Sequence, residues 1–374
     1  MVVAEPTTSQ REGAPVRSRV TEILVLYALS GLAAMFLSAV LVEALGGNWR
    51  DVWTALVDGS LRRPGRWGLT IGVAVPLAVV AIGTVISTKA GLINIGQEGQ
   101  MMIGGASAAY VGAHLQGPGP LVVCVAILFG FVGGGLWSGI AGLLRYLRNV
   151  PEVLTTLLLV TVASNLVGYG LKNTWLLLDP NAAVGNRTNV SPQLSPDARL
   201  PRFEIFGNDI SSGALISVAL TLLCAWILGR TIIGFRLEVA GKSRRVGLRF
   251  GISETRQGLM AMVVSGGFAG LAGGLMLASG DFAKYRLVPG FTVNLGWIGL
   301  LVALVAREKI LAVLPVAFIF ASLRTGSGFL AATGVERRVT DVVQGLLVLA
   351  LLVPPAVLFV RERRRALSQV KSRT

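Results

Sequence analysis

Ten stretches of this chain carry too little charge to sit comfortably in water: roughly 23–45, 68–88, 91–113, 120–144, 153–171, 213–229, 258–279, 292–306, 310–323 and 340–360. A hydrocarbon layer about 30 Å thick needs about 20 mostly apolar residues per helical crossing. Within it the backbone must satisfy its own hydrogen bonds, so a chain patterned this way folds as a bundle of helices. Charged residues make up only 14% of the sequence, against about 25% in soluble domains. The expectation is an all-α membrane protein of about ten transmembrane helices. It forms one membrane domain over 23–360, with tails at 1–22 and 361–374. Segments 292–306 and 310–323 are short, a sign of broken or re-entrant helices lining a pathway. The polar start and long first segment do not read as a cleaved signal peptide.

Orientation follows from the basic residues. With the N-terminus inside, 21 of the 34 Lys and Arg fall in inside stretches, including seven between Arg230 and Arg256 and six from Arg361 onward. That bias predicts both termini in the cytoplasm. The net charge of +15 is then a topology signal, and nucleic-acid binding is not expected. Two outside stretches dissent: Arg62, Arg63 and Arg66, and Arg337 with Arg338. Trp49, Trp53 and Trp67 beside the first suggest a helix lying at headgroup level. The stretch 172–212, with Pro180, Pro192, Pro196 and Pro201, reads as an irregular external loop.

Polar groups inside apolar segments point to function, because amides and carboxylates there need a pathway or a partner. The richest stretch is KAGLINIGQEGQMMIGG at 89–105, with Asn94, Gln97, Glu98 and Gln100 among five glycines. These side chains either cap a broken helix or line a translocation path. Asn165, Asp341 and Gln344 are further pathway candidates, the last two on one helix face. Asn94, Gly96 and Gly99 recur as Asn294, Gly296 and Gly299, an Asn-x-Gly-x-x-Gly pair. In this topology the copies run in opposite directions, as in inverted repeats of transport proteins. We expect two such repeats.

Enzyme readings fare poorly. His114 is the single histidine, and Cys124 and Cys224 have no partner cysteine nearby, so no catalytic triad or metal set is visible. Gly241-Lys242-Ser243 resembles the end of a phosphate-binding loop, but Arg236 stands where that loop needs glycine. The chain is expected to carry no ATPase site, metal or cofactor. The basic stretch 230–257 reads as a cytoplasmic loop with a short helix that either docks a soluble partner or is a solvated loop that only fixes topology.

These features together resemble permease subunits of bacterial ABC importers, in the group shared by ribose, branched-chain amino acid and nucleoside systems. The nucleoside branch has a GLFNIGxEGQ-like segment, and residues 91–100 read GLINIGQEGQ. VPEVLTTLL at 150–158, SGGFAGLAGG at 265–274, LGWIGLLVALVAR at 295–307 and TDVVQGLLVLALL at 340–352 follow in the family's order. Residues 235–252 are similar to its ATPase-coupling loop, FxxRAVGxNPxAARxAGI. They differ at Ser243-Arg244, where the family has Asn-Pro, at Glu238, and at Leu248, whose basic counterpart is one place later at Arg249.

The resemblance implies nucleoside uptake by alternating access, with no chemistry done on the solute. ATP and Mg would be held by two separate ATP-binding cassettes pressing on Phe235, Glu238, Gly241, Ser243, Leu248, Arg249 and Gly251. A second permease subunit, usually a different chain, and an external solute-binding lipoprotein complete such systems. The location is the bacterial inner membrane. Ribose-like sugars are the near alternative, and an ion-coupled secondary transporter is a distant one. Few intramembrane charges are available for coupling ions.

Overall fold

A computed structural model describes residues 16–181, 189–292, 294–330 and 337–371. The first fifteen residues of the 1–22 tail, the end of the 361–374 tail and residues 182–188 of the long loop lie outside the described residues. The rest is overwhelmingly helical. Every one of the ten apolar segments falls on a helix: α1 (Val16–Ala44), α3 (Arg66–Lys89), α4 (Gln97–His114), α5 (Gly119–Arg148), α6 (Glu152–Gly170), α7 (Gly213–Arg230), α10 (Glu254–Ser279), α11 (Leu295–Val305), α12 (Ile310–Leu330) and α13 (Arg337–Lys371). Eight of these are long and apolar enough to cross a membrane, while α4 and α11 are not counted among them. Short α2 (Trp49–Val57), α8 (Ile232–Lys242) and α9 (Arg244–Arg249) complete the helices.

The described residues fall into two compact units. In one, α1 packs along α13, burying Ser38, Val42, Val343 and Leu347. The other covers residues 54–334. At its centre stand α3 and α10, 78% and 72% buried, whereas α5, α6, α7 and α12 are at most 39% buried. The outer helices expose leucines such as Leu136, Leu147, Leu158 and Leu215, which suits a lipid solvent rather than water. α10 packs on α5, α4 and α3, and α3 also carries α12, α11 and α7.

Two helices depart from the expected bounds. α12 runs to Leu330, not 323, because its hydroxyls turn back on the helix. Ser322 donates to Phe318 O at 2.9 Å and Thr325 to Ala321 O at 2.9 Å, so polar side chains need not end it. α4 starts at Gln97, not 91, for reasons given below.

The 172–212 loop is less irregular than expected. It holds a hairpin of β1 (Arg202–Ile205) and β2 (Asn208–Ser211), so the chain is not purely α. Phe206 and Gly207 form the two-residue turn, both with positive φ (50° and 71°), the geometry that twists with the strands. Arg202 fastens the hairpin. Its guanidinium donates to Asp209 at 2.6 Å, to Asp281 at 2.7 Å and to the carbonyl of Ser279 at 2.6 Å. Upstream, Ser191 and Leu287 exchange hydrogen bonds, 3.0 Å to the Leu287 carbonyl and 2.9 Å back to the serine hydroxyl. Arg202→Ala should loosen the hairpin by about 1–3 kcal/mol. Limited proteolysis should then cut within 202–211 faster than in the parent, and an unchanged rate would refute this anchoring.

Candidate transport site where two helices begin

The chain leaves α3 at Lys89 and stays non-helical to Gly96 before α4 begins. Gly91 turns with φ 76°, a conformation glycine adopts freely. The seven residues of the break meet the middle of the bundle. Asn94 bonds Ser265, near the centre of α10, at 3.0 Å.

Its amide is fully used. Nδ2 also donates to Gln100 Oε1 at 2.9 Å, while Oδ1 accepts from Gln100 Nε2 at 2.9 Å and from the Gly96 amide at 3.1 Å. Asn94 and Gln100 are 0% and 1% exposed, where an unmade hydrogen bond costs about 1–3 kcal/mol. The reciprocal pair holds the break in shape. Thr156 of α6 accepts from the Ile95 amide at 3.3 Å, and Gln97 donates to Thr84 of α3. The Gln97 side-chain oxygen, Oε1, is buried without a hydrogen-bond partner.

Glu98 reaches a second helix start. Oε1 accepts from the Asn294 amide at 3.0 Å and from the Thr292 hydroxyl, and Oε2 accepts from the Gly296 amide at 2.8 Å. Asn294 precedes α11 with φ 63° and makes no side-chain cap of its own. The cap therefore comes from α4, and a carboxylate suits the positive end of a helix. A Cβ on Gly296 would lie 2.5 Å from Glu98 Cα, so only glycine lets the two backbones touch. One turn on, a Cβ on Gly299 would meet Val80 in mid-α3 at 2.5 Å. Both helices thus begin at the centre of the bundle.

Of the predicted pathway residues, Asn94, Gln97, Glu98, Gln100 and Asn294 gather at this break. Asn165 does not: it is exposed on α6 and donates to its own helix at Thr161 O, 2.9 Å. Asp341 is exposed and Gln344 half-buried on α13, in the other unit. Ser265, Thr84 and Thr156 on helices, and Thr292 just before α11, complete the network; the helical three carried no signal in the sequence, since hydroxyls in helices usually bond their own backbone. A cavity of about 420 Å³ lined by Ile103, Tyr110, Phe129 and Leu166 is apolar and touches none of the predicted residues.

The expected coupling loop is two helices, α8 and α9, meeting at Ser243, whose hydroxyl accepts from the Val246 amide at 3.4 Å. Phe235, Leu248 and Phe250 are 56%, 64% and 68% exposed, an apolar surface on otherwise charged helices. Arg249 is exposed too, and Gly251 closes α9 with φ 68°. Glu238 pairs with Lys242. That hydrogen bond, with Lys89 nearby, holds its carboxyl below the usual range. Gly241 lies flat on the end of α3: a Cβ there would be 2.2 Å from Lys89 O and 2.7 Å from the Gly91 amide.

A family model described as branched-chain amino acid transport system / permease component matches residues 69–352. The guanosine ABC transporter permease protein NupP of Bacillus subtilis is 27% identical, over 91% of this chain and 96% of its own. The glucose ABC transporter permease protein TsgB13 of Haloferax volcanii is 28% identical, over 89% and 86%. The nucleoside ABC transporter permease protein NupB of Lactococcus lactis is 25% identical, over 83% and 86%.

Proposed function

Because this chain belongs to that family of ABC importer permeases, multi-pass proteins of the inner membrane, we propose that it imports nucleosides by alternating access. The observation that carries the substrate is the near end-to-end match to a guanosine permease, joined by a second nucleoside permease. ATP and Mg bind two separate cassettes that press on α8 and α9, where Phe235, Leu248 and Phe250 offer an apolar surface. The core is completed by a second permease chain, and an external solute-binding lipoprotein delivers the solute. Both termini lie in the cytoplasm, and α4 and α11 meet inside the membrane as the broken pair of two inverted repeats. The pathway runs past that break, where Asn294 is exposed; Asn165, Asp341 and Gln344 are further candidates to contact the solute.

A sugar substrate is the second reading, favoured by the similarity to a glucose permease. The deciding experiment is uptake of labelled guanosine, other nucleosides, ribose and glucose in cells with and without this gene and its neighbours. Loss of ATP-dependent nucleoside uptake on deletion is the expected result. Loss of sugar uptake alone would move the substrate and keep the machine.

A further inference from the structure

Resting on the alternating-access reading, we propose that Glu98 is a positioning residue of the transport cycle, fastening the start of α4 to the start of α11 so that the coupling helix α8 moves both together.

Three observations carry this. First, α11 has 11 residues, about 16 Å of helix, roughly half the apolar layer. One of its ends is therefore inside the bundle, where its first amides need acceptors. Glu98 supplies them at Asn294 and Gly296 and also takes the Thr292 hydroxyl. Second, Glu98 is 3% exposed and both its oxygens are engaged by α11. It is a link between helices and not a solute ligand. Third, α8 reaches the far end of one linked segment and, through Glu98, the other. Gly241 lies on Lys89–Gly91, where the break leading into α4 begins. A displacement of α8 thus acts on the break directly and on α11 through Glu98. Without it, α8 could push the break while α11 stayed behind.

The test uses the whole importer, this chain with its partner subunits, reconstituted in lipid vesicles. Uptake of labelled guanosine and ATP hydrolysis are read together. Glu98→Gln turns an acceptor into a donor facing an N–H. Uptake per ATP hydrolysed should fall about tenfold or more, with the half-saturating guanosine concentration within about twofold of the parent. Thr292→Val removes one of three donors and should fall by about threefold, and Thr292→Ser should restore the parent ratio. If Glu98→Gln does not assemble, the Thr292 pair decides. Hydrogen exchange on the purified chain gives an independent readout. Amides 294–298 should lose protection in Glu98→Gln while those of α10 keep theirs.

An unchanged uptake-to-hydrolysis ratio would overturn the proposal. So would a raised half-saturating concentration at full maximal rate, which would make Glu98 a solute contact. Absence of uptake of any nucleoside or sugar by the parent importer would strike the transport reading instead. The exchange measurement would still decide whether Glu98 holds α11.

Discussion

Gly270→Leu is expected to yield no detergent-stable protein. The seam of α10 with α4 and α5 is built from backbone against backbone. A Cβ on Gly270 would lie 2.1 Å from Gly130 O and 2.8 Å from Gly134 Cα. A Cβ on Gly104 would lie 2.2 Å from Gly270 Cα, one on Gly134 2.4 Å from Gly266 O, and one on Gly273 2.3 Å from Met101 O. Small residues drive such packing in lipid, where helices gain nothing from leaving water. A single methyl group here forces helices apart and costs about 1–3 kcal/mol, and leucine costs more. Against a total stability of about 5–15 kcal/mol, that is a large share. Size-exclusion profiles and melting curves after extraction measure it. Gly168→Ala on α6, with nothing within 4 Å of the added carbon, is the matched control and should behave as the parent. A Gly270→Leu protein that melts with the parent would refute the seam.

The second large effect concerns the α8–α9 surface. Leu248→Glu should cut recovery of the ATPase subunits in a pull-down by about tenfold or more, as for a buried anchor at an interface. The leucine is 64% exposed within this chain, so insertion and melting of the permease should not change. Gly241→Glu acts differently. Its new side chain collides with the Lys89 and Gly91 backbone and lifts α8 off the end of α3. Uptake should collapse as well as ATPase recovery. Normal pull-down recovery with both variants would sink the coupling role of this loop.

Much of the architecture was legible in the sequence because lipid leaves the chain few choices. Each of the ten apolar segments lies on a helix, since length without charge is sufficient cause. The ends were harder. Asn94 and Gln100 stop α4 from starting early by bonding each other, a pairing no local pattern reveals. α12 outruns its expected end at 323 because Ser322 and Thr325 bond back to their own helix. The hairpin was missed because Phe206-Gly207 replaces the usual Asn-Gly turn and its strands have four residues each. Five of the eight pathway candidates gather at one place, as the cost of buried polar groups predicts. What the sequence could not say is who satisfies them: the partners of Asn94, Gln97 and Glu98 come from residues as distant as Ser265 and Thr292. The repeated Asn-x-Gly-x-x-Gly had a structural meaning. Both copies open a helix, and Gly296 of one rests on Glu98 of the other.

The glycine seam also divides the molecule mechanically. Side chains in an ordinary core can change rotamer and let one helix slide past another. Around Gly104, Gly130, Gly134 and Gly270, backbone lies on backbone, so sliding there would require the helices to separate first. Under the proposed alternating access, α10, α5 and the stretch of α4 around Gly104 form the fixed body. On that reading, motion falls to the break before α4 and to the elements tied to it, α11 through Glu98 and α8 through Gly241.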